Sequence, residues 1–565
     1  MHKYFISTIF LIIGFCFSFG NGGMLVQSFN GPITNDEIQS FLNHVVSLTP
    51  ASDNIGNNWA QSGDRSGEVT KSMGIINDLA PAPVGQNTIW TGRIDPCWPN
   101  TNTPQTSGSG GEQGDPAGHL GYCARLILQT PAIWNTVIPS PGDPNNLGST
   151  YLLRAKKYIS GADYSMSNHT LRSALNIANG GKLYFSQANP YKSGQIVPWN
   201  QVMMFLYAFQ NLAVAHDILQ DNPDLASQYH NLVQVNLNWM FNEGMVKVNN
   251  GPKGRPIYRW GYVLPNTNGE DTNHGNLDVS GLYRAYQSGY YGVTSSMLLP
   301  VANTYWDIVY RGPADYSGIL DGTDGTGNAS PTNYVRAGYF SLTEFRPDTF
   351  SQLTTDCTLR VGSSSNTATD RVSRMFWLKN QRYQSFSMNV VPTLGAAYTS
   401  NYIVSIRPNG AWNSDVSLNV RGLPVGATVT FNGSSNVIAK GSGSLIITVS
   451  TSYPTPPGNS TLNIVSSGWG AVSQSSSVTM TALQQIPKPK FSLDGGNYVG
   501  KQTLTITSQL SSTIRYTTDS STPAYNKGII YSQPIAITKN TTIKAVAYRT
   551  NYKDSSTTTE IYYIK

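Results

Sequence analysis

With 565 residues the chain is long enough for three or four domains, and its ordinary apolar share of 39% allows at least one sizeable core. Only 12% of residues are charged, while Gly, Ser, Thr, Asn and Tyr are common, a composition that argues against a highly charged disordered protein and suits exported proteins built with polar loops and β-modules. The net charge of +6 is confined to the end: residues 487–565 hold ten Lys/Arg against four Asp/Glu, everything before them balances, and no recognised nucleic-acid motif accompanies the excess, so no nucleic-acid partner is expected.

Residues 1–20 read as a secretory signal, with Lys3 ahead of an apolar run from Phe5 to Phe17 and small residues Ser18 and Gly20 at the cleavage end. The protein is therefore expected outside the cytoplasm: secreted, periplasmic or at the cell surface. The run is short for a membrane span, no later apolar run reaches about 18 residues, and no stable membrane insertion is expected. Cys97, Cys123 and Cys357 remain after cleavage, an odd number that fits one disulfide, Cys97 with Cys123 as the nearest pair, and one free thiol. No Cys-x-x-Cys or clustered Cys/His spacing points to zinc.

In chain order, Thr34-Asn35-Asp36-Glu37 is a capping box ahead of Ile38, Phe41, Leu42, Val45 and Val46 at helical spacing. Residues 51–70 and 99–114 are loop-like. Asp115-Pro116 predicts a further helix with Asp115 as its cap, carrying Gly118-His119-Leu120-Gly121-Tyr122. More helices are expected at about 149–160, 198–219, 224–241, 272–290 and 297–310, from apolar periodicity. Helices of this length, alternating with loops rich in Trp, Tyr and polar residues, imply α-hairpins stacked about an axis with loops gathered around a cleft. From about residue 385 the pattern alternates in strands, as in 416–420, 428–431 and 445–449, with turn residues at roughly ten-residue intervals. A second all-β unit follows the Pro-bearing linker Ile486-Pro487-Lys488-Pro489.

Chemistry concentrates in Tyr258-Arg259-Trp260-Gly261-Tyr262 and in Glu270-Asp271-Thr272-Asn273-His274-Gly275. The whole chain has seven glutamates, and one stands here beside an aspartate. Asp271 or Thr272 is placed to cap a helix, and His274 falls in its first turn, where the helix dipole favours a neutral imidazole able to act as a base. The plainer alternative is a capping aspartate and a structural histidine. Residues 321–328, Asp-Gly-Thr-Asp-Gly-Thr-Gly-Asn, offer oxygen ligands for structural calcium but break the EF-hand spacing, so a turn is the simpler reading. His274 and Asp278 could share a helix face as metal ligands, without an evident third; no cofactor is expected.

Three resemblances add to this reading. Phe491-Ser492, Gly495-Gly496, Ile514-Arg515-Tyr516-Thr517-Thr518-Asp519, Thr522-Pro523 and Thr541-Thr542-Ile543-Lys544-Ala545 resemble the C-terminal β-sandwich module of chitobiases and β-hexosaminidases, which implies an accessory domain over 486–565. Val416-Ser417-Leu418, Gly422-Leu423-Pro424-Val425-Gly426-Ala427 and Thr455-Pro456-Pro457-Gly458 look like an immunoglobulin-like module over 381–485. Gly118-His119, Pro198-Trp199-Asn200-Gln201, Tyr258-Arg259-Trp260 and Glu270-Asp271-Thr272-Asn273-His274-Gly275, in that order, make residues 21–380 similar to the six-hairpin (α/α)-toroids of alginate-lyase-like and glucuronan-lyase-like enzymes. The expected architecture is thus multidomain, an all-α (α/α) toroid followed by two all-β sandwich modules.

That resemblance implies a polysaccharide lyase that removes the C5 proton of a uronic acid and expels the 4-linked sugar, with an acidic polysaccharide as partner. Asn200 and Gln201 are the amide candidates and Arg259 the cationic one for neutralising the uronate carboxylate. His274 and a tyrosine, Tyr334 first and Tyr262 or Tyr339 next, share the base and acid roles. Trp199 and Trp260 are candidate sugar platforms, and His119 a further binding residue. Each has a structural alternative: Asn200 as a helix brace, Arg259 paired with Glu270 or Asp271, Tyr334, Trp199 and Trp260 as packing residues, His119 as structural, and His216 as core. A second enzyme reading is a glycoside hydrolase on the same toroid, with Glu270 or Asp271 as one carboxyl group and Asp278, Glu243 or Glu344 as the other. A third is a secreted carbohydrate-binding or adhesive protein whose toroid is inactive.

Overall fold

The computed structural model describes residues 33–47, 87–88, 94–95, 109–139, 143, 146–178, 180–333, 335–356, 371–372, 374–379, 385–393, 399–409, 412, 414–433, 435–451, 455, 458–468, 471–482, 485–550 and 552–565. The signal segment, Cys97, Cys357, Tyr334 and the loop at 51–70 lie outside the described residues. The chain forms two compact units. The first runs through residue 386 and adds 408–416 and 467–473; the second holds the remaining β-rich sequence to 565.

The first unit is helical. Its longer helices are α1 (Asn35–Ser47), α2 (Gly114–Leu128), α3 (Tyr151–Asp163), α4 (Trp199–Leu219), α5 (Pro223–Trp239), α6 (Thr272–Ser288) and α7 (Ser295–Thr304). Local chemistry explains their ends. The capping box of α1 closes as the sequence predicts, Glu37 N donating to Thr34 Oγ1 at 3.2 Å and Thr34 N to Glu37 Oε2 at 3.0 Å. Thr150 caps α3, Asn222 caps α5 ahead of Pro223, and Gln220 ends α4 in the left-handed conformation. The expected cap at Asp115 is not formed. Helix α2 starts at Gly114 with Gln113 before it, which leaves Asp115 inside the first turn and buried.

Helix α4 is the core of this unit, packed by α2, α3, α5 and α6. It is apolar nearly all round, and among the described residues it alone is long and apolar enough to cross a membrane. However, 83% of that window is buried inside the fold, as expected of a central core helix. Glycine lets α2 approach it closely: a Cβ at Gly118 would stand 2.3 Å from Tyr207 Cδ1.

Helices α3, α5 and α7 share a feature that periodicity does not announce. Each runs into a wide π-helical segment, Tyr164–Ala174, Met240–Gly244 and Tyr305–Val309, and then into a short antiparallel hairpin. The hairpins pair Leu175–Ala178 with Lys182–Phe185, Met245–Val248 with Ile257–Trp260, and Tyr310–Gly312 with Asp315–Tyr316. By contrast, α4 to α5 and α6 to α7 are joined by a few residues only. Long, hairpin-bearing connections therefore alternate with short ones.

The second unit is β-rich. One four-stranded sheet orders the strands Thr428–Phe431, Gly443–Ser450, Thr399–Asn409 and Ser385–Thr393; another orders Val437–Ile438, Val416–Arg421, Gly458–Gly468 and Gln474–Ala482. Alternation sets their faces: Tyr402, Val404 and Ile406 are buried, as are Leu445, Ile447 and Val449 on the paired strand. Beyond residue 486, a five-stranded sheet runs Gly496–Tyr498, Thr558–Ile564, Thr541–Tyr548, Thr513–Thr517, Ile529–Ile530, with two smaller strand pairs beside it. Ile514, Ile543, Ala545, Ala547 and Tyr562 meet Leu504, Ile506 and Ile537 in its core.

Candidate active site

Three backbone ends converge where the sequence concentrates its acids. Trp199 N, opening α4, donates to Tyr262 O at 3.1 Å, and Glu270 N donates to Trp260 O at 3.1 Å. Thr272 N and Leu320 N then tie the entry of α6 to the 318–320 segment through Gly318 O (2.8 Å) and Glu270 O (2.9 Å).

Asp271 is the cap of α6. Its Oδ1 accepts from Asn273 N and His274 N, both at 2.9 Å, and its Oδ2 lies 2.6 Å from His274 Nδ1. Burial pushes this carboxyl up, but the bonds from the imidazole and the two amides outweigh it and hold Asp271 below the usual carboxylate range. The His274 side chain is one-quarter exposed, and its Nε2 makes no hydrogen bond to a described residue. A carboxylate on Nδ1 favours the tautomer whose lone pair is on Nε2, the form a general base needs.

Glu270 sits behind this dyad, wholly buried. Its Oε1 accepts from Asp271 N at 3.0 Å and its Oε2 has no hydrogen-bond partner among the described residues. Asp278 is also wholly buried, with Oδ2 accepting from Trp260 Nε1 at 2.9 Å and Oδ1 unpartnered among the described residues. Burial raises both carboxyls, and their mutual repulsion with Asp271 adds to it. One ligand atom from each of Glu270, Asp271 and His274 falls within 4.8 Å of the others, so these three, rather than His274 with Asp278, are the residues placed to hold a metal ion.

In front of the dyad stand two expected residues, Tyr262 and Gln201, and three that the sequence did not single out, Tyr191, Lys192 and Arg336. The Tyr262 ring lies 5.0 Å from His274, and Lys192 Nζ sits 4.8 Å above that ring. Tyr262 also bonds to Tyr191, and burial pushes its phenol up. Burial lowers the Lys192 ammonium. Gln201 joins this group through Nε2 to Tyr191 OH at 3.3 Å while its Oε1 accepts from Gly111 N at 3.0 Å. Arg336 Nη1 donates to Asn273 Oδ1 at 2.9 Å, bringing a second cation to the start of α6. Lys192 and Arg336 lie in loops without periodicity, and only their charge marked them.

The other candidates take supporting or separate places. Trp199 and Trp260 are 0% and 1% exposed, so neither ring offers a face to a sugar. Trp199 packs edge-on against Trp239 at 5.1 Å, and Trp260 holds Asp278. Arg259 alternates to the exposed face of its strand, opposite Trp260, and pairs with neither Glu270 nor Asp271. Tyr339 is buried and donates to Thr272 O at 2.8 Å, bracing α6. His119 is buried against Tyr207, with Nδ1 3.2 Å from its hydroxyl. Asn200, 6% exposed, has its Oδ1 buried without a described partner.

The remaining carboxyl candidates are engaged: Glu243 by Lys182 at 2.8 Å, and Glu344 by Tyr283 OH at 2.5 Å. In the 321–328 segment, Asp324 is held by Arg311 and Gly318 N, and Asp321 turns back onto Thr323. Cys123 carries a free thiol, which burial pushes up to about 12, and Cys97, its expected partner, lies outside the described residues. His216 is not a passive core residue. Both its nitrogens meet carboxylates, Asp221 at 2.7 Å and Asp163 at 2.9 Å.

Comparison with known proteins bears on the β-rich end. A sequence profile of the family described as Fn3 associated matches residues 504–562. No curated protein matches the chain. Among solved structures, murine CEACAM1b is 15% identical over 32% of this chain and 100% of its own, with a TM-score of 0.12. The thioester domain of the Enterococcus faecium TIE86 protein is 14% identical, covering 41% of this chain and 73% of its own at a TM-score of 0.12. The Bacillus anthracis TIE protein is 8% identical over 57% of this chain, which spans 63% of that structure, at a TM-score of 0.13.

Proposed function

We propose that the protein is an exported carbohydrate-active enzyme whose helical unit is an (α/α) toroid that cleaves a uronic-acid-containing polysaccharide by β-elimination. The observation that carries this reading is the Asp271–His274 dyad, with Nε2 available, beside Tyr262 and Lys192. The alternation of long, hairpin-bearing connections with short ones supports the toroid, in which the long connections build one rim.

In this mechanism Lys192 holds the uronate carboxylate and stabilises the charge that develops on it. His274 Nε2 takes the C5 proton while Asp271 steadies the imidazolium. The C5–H electron pair becomes the C4=C5 double bond, the C4–O bond breaks, and the Tyr262 phenol gives its proton to the departing oxygen. Burial keeps that phenol protonated at neutral pH, as a general acid requires. Hydrolysis is less well served, because Glu270 and Asp278 are fully buried, and Glu243 and Glu344 are engaged elsewhere.

The test is incubation of the full chain, after removal of residues 1–20, with glucuronan, alginate, pectate and glycosaminoglycans, following the ultraviolet absorbance of unsaturated uronyl ends. A rise that His274→Ala abolishes is expected. New reducing ends without unsaturation would replace elimination by hydrolysis, and no new ends on any polymer would leave a binding protein.

A further inference from the structure

The five-stranded sheet of the last module has an inner face closed by its core and an outer face that the proposed chemistry does not use. Strand registers assign the outer residues. Arg515 pairs with Val546, Thr517 with Lys544, and Thr513 with Tyr548, while Ile530 pairs with Arg515 and Ile561 with Thr542. Tyr563 follows Ile561 on the same face by alternation. Arg515 and Lys544 are diagonal neighbours, roughly 7 Å apart by strand geometry. Arg515 lies 5.8 Å from the Tyr548 ring, and Tyr525 packs edge-on against that ring at 5.1 Å.

Three features separate this surface from an ordinary solvated sheet. Val546 and Thr517 are buried at its centre, but around them large side chains stand open to solvent, with Tyr525 69%, Ile530 50% and Tyr563 48% exposed. Its strands carry two cations and no carboxylate, since Glu560 pairs with core-facing Ile543 and turns to Gly495 N. Neither Arg515 nor Lys544 forms an ion pair with a described residue. The surrounding module, with ten Lys/Arg and four Asp/Glu in residues 487–565, holds all of the chain's excess positive charge.

We propose that this outer face binds an acidic polysaccharide, with the tyrosines stacking on sugar rings and Lys544 and Arg515 meeting carboxylates. The sparse pair of cations matches a polymer with one acidic group per sugar. The phosphate of nucleic acid, about one charge per 1.7 Å in duplex DNA, would call for a denser array. The proposal stands on the charge and exposure of this module and does not depend on elimination at His274.

The experiment is affinity electrophoresis of the full-length His274→Ala chain in native gels containing glucuronan, dextran or single-stranded DNA, with melting curves to confirm folding. Retardation by glucuronan and not by dextran is expected. Lys544→Glu and Tyr563→Ala should each weaken it about tenfold, while Lys501→Glu, which makes the same charge change off the face, should weaken it less than about threefold. If Lys544→Glu fails to fold, exposed Tyr563→Ala carries the test. The proposal is overturned by absence of retardation, by equal losses at Lys501 and Lys544, or by DNA binding as tight as glucuronan binding. A chain that binds glucuronan but in its native sequence forms no unsaturated ends on any of the four polymers would keep this face and remove the lyase reading.

Discussion

The Nδ1 of His274 lies 2.6 Å from Oδ2 of Asp271, and the other oxygen of that carboxylate caps the helix that carries the histidine. One side chain thus fixes both the start of α6 and the tautomer of the imidazole. Asp271→Asn separates the two roles, because asparagine caps a helix about as well but offers no charge to an imidazolium. Near neutral pH the melting temperature should fall less than in Asp271→Ala, while elimination activity falls on the order of 10²–10⁴-fold. Asp271→Ala should also cost about 1 kcal/mol of stability through loss of the cap. Since the folded carboxyl is held below its ordinary value, the wild-type advantage is present above that value and fades as pH falls below it. Parallel thermal melts across the acid range check this.

The buried Glu270–Asp278 pair has the opposite sign. Both carboxyls are raised, so the fold favours their protonated forms and loses stability as pH climbs above the unfolded values. Asp278→Asn keeps an acceptor for Trp260 Nε1 and removes one potential charge. The variant should melt at a higher temperature than the parent in mildly alkaline buffer and near the parent in acid. Equal melting across the range would mean that the pair carries no such strain.

Tyr339 and Gly275 give a steric counterpart. A Cβ at Gly275 would stand 2.7 Å from the Tyr339 hydroxyl and 3.1 Å from Leu320 Cδ1. Gly275→Ala therefore pushes Tyr339 off Thr272 O, and the loss should reach about 1–3 kcal/mol by urea unfolding. Tyr339→Phe, which removes only the hydroxyl, should cost about 1 kcal/mol.

Helix existence was legible in the sequence because caps and apolar periodicity are local: Thr34 with Glu37, and Asp271, each mark a start that the structure forms. The β-strands at 416–421, 428–431 and 443–450 follow from alternation for the same reason. What a side chain faces was not legible. Trp199 and Trp260 were candidate platforms although tryptophans are more often core, and packing buries both. Arg259 differs from Trp260 by one strand position, which is enough to place it on the other face. The contacts of Tyr191 and Lys192 with Tyr262 span about 70 residues of sequence, beyond any local pattern.

Glu37 and Lys379 extend the point to stability. They form a buried ion pair at 2.8 Å, joining the first turn of α1 to a helical segment 342 residues later in the chain. Removing one partner strands the other charge in the interior. Lys379→Met should destabilise the helical unit by roughly 3–5 kcal/mol and raise hydrogen exchange in α1. The double variant Glu37→Gln with Lys379→Met should recover part of that loss in urea titrations, because no unpaired charge remains.

His216 supplies the last prediction. Burial opposes its protonation, but hydrogen bonds and charges from Asp163 and Asp221 more than offset this and raise the imidazole to about 9. A histidine raised from its ordinary 6.5 contributes stability that is complete below that value and lost as pH rises through the folded one. His216→Gln should therefore destabilise the protein most at about pH 6 and progressively less towards about pH 10. Chemical-shift titration of the His216 ring should place its midpoint well above the ordinary histidine value, and a midpoint near that value would show that the two carboxylates do not hold the proton.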